Sequence, residues 1–206
     1  MKNFDNSFLS DNINLIAGID EAGRGPLAGP VVAGAVIFSP NTKLTGVNDS
    51  KKLSQKTREE LYDEIVDKAL AFGICEIDET EIDAINILQA TLKAMRLASE
   101  KLTIPPDLIL IDGNKAFKSQ TPVKTIVKGD SKSHAIAAAS ILAKVTRDRL
   151  MIKAAEQFPE YAWERNKGYG TKQHMEAIKK YGITPLHRKT FLSNIVEPKI
   201  LEIQLG

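Results

Sequence analysis

The sequence predicts an α/β domain whose sheet begins with a hairpin and which carries a small helical region from about residue 157 onward. Two patterns indicate this fold class. Short apolar runs typical of buried strands alternate with longer amphipathic segments typical of helices. The first two apolar runs are joined only by a Gly- and Pro-rich loop, which favours a hairpin over a helical crossover. The composition agrees, because 206 residues with 43% hydrophobic and 26% charged residues can bury a sizeable core.

Five segments are predicted as strands from their apolar character. The first, residues 13–19, ends at Asp20, and the Gly- and Pro-rich loop follows over residues 22–30. The other strands are predicted over residues 31–38, 71–77, 107–111 and 123–128. The fourth strand leads into Asp112, and the fifth ends shortly before Asp130, so acidic residues follow several strands directly.

Four longer segments are predicted as helices from their apolar spacing and capping residues. The segments and their expected caps are 54–70 (Ser54 or Thr57), 80–102 (Thr80), 133–156 and 172–181 (Thr171). Pro105 and Pro106 stop the second helix, and Gly182 closes the fourth. The third is rich in alanine, which allows a close approach to the sheet.

The cysteine and histidine content excludes several kinds of chemistry. Cys75 is the single cysteine, so an internal disulfide framework and a cysteine-based zinc cluster are excluded. His134, His174 and His187 are scattered and are interpreted as capping, surface or packing residues. No G-x-S-x-G sequence is present, so a serine nucleophile of that kind is excluded as well.

The N-terminal segment lacks the apolar stretch of a signal peptide, and no run reaches the ~20 apolar residues that span a bilayer. We therefore expect a soluble, cytoplasmic protein that does not enter a membrane.

The net charge of +2 conceals an uneven distribution along the chain. Residues 1–103 carry 11 Lys and Arg against 16 Asp and Glu, whereas residues 104–206 carry 17 against 10. Basic surface attracts phosphate backbones, so this asymmetry is a modest indication of a polyanionic partner. Solvated helix faces would produce the same pattern.

Four carboxylates, those of Asp20, Glu21, Asp112 and Asp130, lie at or just after strand ends. Acids that converge there repel one another unless a cation lies among them, and hard divalent cations favour oxygen ligands. The pattern therefore predicts a magnesium or manganese site for phosphoryl chemistry. Adjacent strand residues face opposite sides, so Asp20 and Glu21 share one site only if the strand breaks there. Each acid could instead be a turn-former or a helix cap.

Three loops carry further candidate residues. The loop with Gly23, Arg24 and Gly25 allows close backbone approach and adds a guanidinium, although a plain tight turn would look similar. Residues 49–54 offer hydroxyls, lysines and a helix start, a combination that favours anions. In the third loop Tyr169 lies between two glycines, where it could stack on a base or a sugar or could be buried.

Taken together, these segments resemble the bacterial ribonuclease HII family, the type 2 ribonucleases H. The resemblance rests on GIDEAGRGPLAGPVVAGAVI (18–37), NDSKKLS (48–54), LILIDGN (108–114), VKGDSKSHAIAAASILAKVTRD (127–148) and NKGYGTKQH (166–174). It covers roughly residues 14–192 in the right order and spacing.

The resemblance implies a ribonuclease H-like fold: a mixed central sheet flanked by helices, forming one catalytic domain over residues 1–206 with a C-terminal helical extension. It also implies an endonuclease that cleaves RNA in RNA–DNA hybrids and at single ribonucleotides in duplex DNA, leaving 3′-hydroxyl and 5′-phosphate ends. The cofactor would be manganese or magnesium and the protein a monomer. The metal ligands would be Asp20, Glu21, Asp112 and Asp130. The residues implied in substrate binding are Gly23, Arg24 and Gly25 at the 2′-hydroxyl, Tyr169 at the sugar, and Lys52, Ser133 and Lys144 as phosphate or local-network contacts.

Two other functions stay open from the residues themselves. A non-catalytic nucleic-acid binding domain would use the basic region but has no need of clustered acids. A small-molecule phosphotransferase would use the Gly-rich loop, which lacks the Gly-Lys-Ser/Thr ending of a Walker loop.

Overall fold

The computed structural model describes residues 1–193, which form one five-stranded sheet and eight α-helices. The strands are β1 (Ile16–Ala22), β2 (Val31–Ile37), β3 (Ala71–Ile77), β4 (Leu108–Asp112) and β5 (Val123–Ile126). The helices are α1 (Lys2–Asn6), α2 (Gln55–Lys68), α3 (Glu79–Ile85), α4 (Ile87–Glu100), α5 (His134–Gln157), α6 (Trp163–Asn166), α7 (Lys172–Tyr181) and α8 (Lys189–Leu192). Single 3₁₀ turns lie at Ser50–Lys52, Gly129–Ser131 and Pro159–Tyr161.

The sheet is mixed, in the order β3-β2-β1-β4-β5. Strands β1, β2 and β3 pair antiparallel, which confirms the hairpin at the start, whereas β4 and β5 run parallel to β1. The carboxyl ends of β1, β4 and β5 therefore meet at one edge. An α/β fold with a mixed central sheet flanked by helices is confirmed.

Helices α5 and α4 cover opposite faces of the sheet. A Cβ at Gly18 would lie 2.1 Å from the backbone carbon of Ala135, so α5 packs directly on the backbone of β1. On the other face, Ile19 packs in a core cluster with Ala90 and Ala94 of α4. Side chains alternate along a strand, so even-numbered residues of β1 face α5 and odd-numbered ones face α4.

The prediction of one helix over residues 80–102 is wrong, because the chain forms α3 and α4 with a break at Asn86. Asn86 has φ +66°, which no α-helix accommodates, and its side chain accepts hydrogen bonds from the amides of Leu88 and Gln89. It thereby caps α4. The cap of α3 is Asp78 rather than Thr80, and it accepts from the amide of Glu81 at 2.8 Å.

The first strand also differs from its prediction, since β1 continues through Asp20 and Glu21 to Ala22. It stays paired with β2 throughout, with Glu21 opposite Ala33. β1 therefore shows no break at these residues. The side chains of Asp20 and Glu21 start on opposite faces of the strand, yet their carboxyl groups still interact with each other at its end.

The region after α5 packs on the loop between β1 and β2. A buried cluster joins Leu27 of that loop to Met151, Trp163, Ile178 and Leu192. The domain bounds of 1–206 and the extension bounds of 157–206 stay predictions, and residues 194–206 lie outside the described residues. Within residues 1–193, no helix combines the length and apolar character needed to cross a bilayer.

The N-terminus of α5, whose N-cap residue is Ser133, has a second cap from the start of the chain. A carboxylate oxygen of Asp5 accepts a hydrogen bond from the amide of Ala135 at 2.9 Å, and burial raises the pKa of Asp5. Removing a cap of this kind costs about 1 kcal/mol. We expect Asp5→Ala to lower the free energy of unfolding in urea by about that amount, and Asp11→Ala, at an exposed acid, to leave it unchanged. Equal stabilities of the two variants would contradict this role.

Candidate active site

Three carboxylates meet where β1, β4 and the segment after β5 reach the same edge of the sheet. Asp20, Asp112 and Asp130 each place one oxygen so that all three oxygens lie within 4.8 Å of one another. The parallel register explains the first pair, because Ile19 is paired with Ile111 and the two acids follow directly. Asp130 lies on the 3₁₀ turn Gly129–Ser131, which precedes α5.

The electrostatics of this group favour a bound cation. Burial, together with the charges of Glu21 and Asp112, raises the pKa of Asp20 well above its usual value. Burial and the charge of Asp112 likewise raise the pKa of Asp130. Carboxylates in such a cluster are costly to ionise together, and a divalent cation removes that cost. Oxygen donors alone suit hard cations such as Mg²⁺ or Mn²⁺.

Backbone geometry holds the carboxylate of Asp112 in place. Its Oδ1 accepts a hydrogen bond from the amide of Gly129 at 2.6 Å. A Cβ at Gly129 would lie 3.2 Å from that oxygen and 2.6 Å from a methyl of Ile136, so a larger residue would crowd both contacts. One oxygen of Asp112 is thus fixed by the chain.

Glu21 lies at the same edge but on the α4 face. Its side chain is 14% exposed, and it lines a cavity with Arg24, Thr91, Met95 and Asp112. Arg24 Nη1 lies 3.4 Å from Glu21 Oε1. Burial raises the pKa of Glu21, opposed by Arg24 and assisted by Asp112. Glu21 therefore flanks the three-acid group and interacts with Asp20 and Asp112, while the three oxygens that lie within 4.8 Å of one another belong to Asp20, Asp112 and Asp130.

A lysine that the sequence did not single out faces the acids. Partial burial lowers the pKa of Lys51, but the charges of Asp20 and Asp130 outweigh that effect and leave the pKa raised. Asp49 shapes this turn by accepting the Lys51 amide at 3.0 Å. The predicted contact, Lys52, is the last residue of the same turn, and both lysines are exposed. The sequence indicated this segment for anion binding, and the structure shows that the charges of Asp20 and Asp130 act on its Lys51.

Two buried arginines hold the Gly-rich loop. Arg188 donates to the carbonyl oxygens of Gly29, Arg24 and Gly23 at distances between 2.6 and 3.1 Å. Arg147 donates to the carbonyls of Pro30, Lys167 and Ala28 at 2.8–3.1 Å. The sequence carried no signal for this arginine pair, because its members lie far from the loop along the chain.

The glycines of the loop serve different purposes. Gly23 has φ +98°, and a Cβ there would lie 2.1 Å from Arg147 Nε, so it accommodates the arginine pair. Gly25 is exposed, and among residues 1–193 a Cβ there would come within 4 Å of the ring of Tyr169 alone, at 3.9 Å. Gly25 and the ring of Tyr169 are thus exposed neighbours.

Tyr169 presents an exposed ring beside two cations. Tyr169 is 43% exposed. Lys144 Nζ lies 6.0 Å from the centre of its ring, and the guanidinium carbon of Arg147 lies 5.9 Å from it. Lys144 also pairs with Asp148 at 2.7 Å. Ser133 lies elsewhere: it is fully buried, and its hydroxyl accepts from the amide of Ile136 as the cap of α5.

Solved structures place this fold in the class of ribonucleases H. The ribonuclease H2 of Pyrococcus horikoshii is 29% identical, with a TM-score of 0.76 over 91% of this chain and 99% of that chain. Bst RNase HIII, solved in complex with Mn²⁺, shares the fold at 18% identity, with a TM-score of 0.68 over 94% of this chain and 71% of that one. The acidic group is consistent with a divalent metal in this chain as well.

The particular family follows from the sequence comparisons. The model of the family described as ribonuclease HII matches residues 17–194. The ribonuclease HII of Ruminiclostridium cellulolyticum is 52% identical over 96% of this chain and 77% of its own length, and that of Idiomarina loihiensis 54% over 86% and 95%. The chain belongs to the ribonuclease HII family and is a type 2 ribonuclease H, an endonuclease acting on RNA–DNA substrates. The predicted resemblance is confirmed.

Proposed function

We propose that this enzyme cleaves the phosphodiester at a single ribonucleotide embedded in duplex DNA, as well as RNA in hybrids, leaving 3′-hydroxyl and 5′-phosphate ends. The observation that carries the proposal is the group of three carboxylate oxygens within 4.8 Å of one another, together with the exposed neighbours Gly25 and Tyr169. The first feature supplies a cleavage centre, and the second supplies a place to recognise one ribose.

Asp20, Asp112 and Asp130 would hold divalent cations, with Glu21 contributing from the opposite face of β1. Bound manganese or magnesium would supply an activated water and stabilise the leaving 3′-oxygen. The chain itself contributes the buried carboxylate of Asp20 and the partly buried carboxylates of Asp112 and Asp130, and the Gly129 amide orients that of Asp112. Lys51 adds a positive charge beside them.

Substrate recognition would divide between the Gly-rich loop and the Tyr169 turn. Arg188 engages the carbonyls of Gly23 and Arg24. The amide groups of the loop at Gly23, Arg24 and Gly25 would then contact a ribose 2′-hydroxyl, the feature that distinguishes RNA from DNA. The ring of Tyr169 would pack on the adjacent sugar. Arg24, Lys52 and Lys144 would contact phosphates without reading sequence. Ser133 would act locally by capping α5.

The direct test is a nicking assay on three matched duplexes: one ribonucleotide in DNA, an RNA–DNA hybrid, and all DNA. We expect Mn²⁺- or Mg²⁺-dependent nicking of the first two, abolished by EDTA, and none of the third. Cleavage of the hybrid alone would remove the embedded ribonucleotide from the proposal. Binding that persists in EDTA with no cleavage under either metal would favour the non-catalytic binding domain.

We further propose that the active form is a monomer, which sedimentation during turnover tests.

Removing the ring of Tyr169 should separate substrate recognition from the metal site. Stacking on a nucleic acid is worth about 1–3 kcal/mol, so Tyr169→Ala should lower kcat/KM at the embedded ribonucleotide by roughly tenfold to a hundredfold. Metal binding measured by calorimetry should stay unchanged. The matched control is Tyr181→Ala, at an exposed tyrosine on α7, which should nick normally. Normal nicking by Tyr169→Ala would exclude the ring from recognition.

A further inference from the structure

A buried polar network lies directly behind Tyr169. Trp163 Nε1 donates to His174 Nε2 at 3.1 Å, and His187 Nε2 lies 3.1 Å from the same nitrogen. His187 Nδ1 accepts from the amide of Thr184 at 2.9 Å. Both histidines are almost fully buried, as expected for packing residues.

The hydrogen bonds allow only one arrangement of protons. An indole N–H can only donate, so His174 Nε2 must accept and His174 must carry its proton on Nδ1. His187 must then donate from Nε2 and accept at Nδ1, where the Thr184 amide supplies the donor. Each ring nitrogen in the network therefore has a partner with both histidines neutral. Burial favours the same neutral state of both rings. It lowers the pKa of His174, and it lowers the pKa of His187 to about 3.

The forced proton on His174 Nδ1 points at the turn that carries Tyr169. That nitrogen lies 2.9 Å from the carbonyl oxygen of Tyr169, which also accepts from the amide of Thr171 at 2.8 Å. On the other side of the turn, the Leu27 amide donates to the carbonyl of Gly168 at 2.8 Å. The ring of Tyr169 is exposed while its backbone is held on both sides.

We propose that His174 is a positioning residue for Tyr169: its Nδ1–H, fixed by Trp163 and His187, holds the Tyr169 carbonyl so that the ring faces Gly25. This inference rests on the proposed function for the value of that position in cleavage, but the positioning itself is independent of it.

Two substitutions separate the role of His174 Nδ1 as a donor from the role of His174 Nε2 as an acceptor. The amide nitrogen of asparagine can occupy the place of Nδ1, so His174→Asn keeps the donor to Tyr169 and loses the acceptor for Trp163. Glutamine reaches the place of Nε2, so His174→Gln keeps that acceptor and loses the donor. We expect kcat/KM at the embedded ribonucleotide to fall about tenfold in His174→Gln and to be largely retained in His174→Asn. The reverse order would overturn the proposal.

A double-substitution cycle distinguishes positioning from general loss of structure. If His174 acts through the ring, His174→Gln should have no further effect on kcat/KM when added to Tyr169→Ala. Additive losses would overturn the proposal and assign His174 a purely structural role.

Hydrogen exchange gives a measurement that does not depend on cleavage. The Thr171 amide should exchange about tenfold faster in His174→Gln than in His174→Asn, because the carbonyl it bonds to is released. Equal exchange rates would overturn the positioning, whatever the activity. Faster exchange together with a wild-type enzyme that does not nick would instead leave the positioning intact and refute the proposed function. Thermal unfolding of both variants shows whether they fold.

Discussion

Asparagine in place of Asp20 is expected to stabilise the metal-free protein while abolishing cleavage. Asp20 is 6% exposed, and the neighbouring charges of Glu21 and Asp112 oppose its ionisation. A neutral amide of the same size removes this repulsion, and its oxygen can still accept the Glu21 amide, as Oδ1 does at 2.7 Å. In the working enzyme the same carboxylate would be needed to hold the cations. Stability without metal and activity with metal should therefore change in opposite directions.

The experiment compares thermal unfolding and nicking for wild type, Asp20→Asn and a control. In EDTA, Asp20→Asn should unfold at a higher temperature than wild type, and added Mn²⁺ should raise the Tm of wild type only. Nicking should fall by about a thousandfold or more, since metal catalysis contributes several kcal/mol. Asp63→Asn, at an exposed acid of α2, should match wild type in every measurement. A destabilised Asp20→Asn that still nicks would contradict the account.

Asp130→Asn should likewise lose cleavage and keep its fold.

The second large effect is expected at Arg188, where lysine keeps the charge but loses the planar fork. Arg188 makes four hydrogen bonds to three carbonyl oxygens of the Gly-rich loop and is fully buried. Lysine cannot reach all three acceptors, and a buried acceptor without a partner costs about 1–3 kcal/mol. Arg188→Lys should therefore lower the free energy of unfolding by about 3 kcal/mol or more. Nicking should fall by more than tenfold, because the carbonyls of Gly23 and Arg24 lose their fixed direction.

Urea unfolding and the nicking assay measure both effects in Arg188→Lys. The matched control is Arg165→Lys, since Arg165 is exposed and, within the part of the chain that the structure describes, its side chain pairs only with the neighbouring Glu164 at 3.0 Å. That variant should stay within about 0.5 kcal/mol of wild type. Wild-type stability in Arg188→Lys would show that the loop carbonyls do not depend on the guanidinium.

The sequence predicted the strands well because each is a short apolar run with clear ends. It failed at Asn86, since the apolar spacing of α3 continues into α4 and only the side-chain cap reveals the break. It also ended β1 too early: Asp20 and Glu21 look like loop residues, yet pairing with β2 extends the strand past them. The local sequence pattern does not show which other strand a segment pairs with.

The candidate site shows the same division. Asp20, Asp112 and Asp130 could be predicted because parallel strands bring their carboxyl ends to one edge of the sheet. The arginine pair, the orientation of Lys51 and the donor of His174 could not, because each depends on a contact between segments far apart in the chain or on the turn of a few residues. From the sequence, Gly23 was expected to let a ligand approach the backbone closely. In the structure, the Arg147 side chain fills the space that a Cβ on Gly23 would occupy.

The most direct test of the central claim is anomalous diffraction from crystals of the protein grown with Mn²⁺ and a duplex containing one ribonucleotide. We expect anomalous peaks bonded to oxygens of Asp20, Asp112 and Asp130 and to the phosphate beside the ribonucleotide, with its ribose in contact with Gly25 and Tyr169. Manganese bound only elsewhere, with the three carboxylates free of metal and of phosphate, would contradict the account.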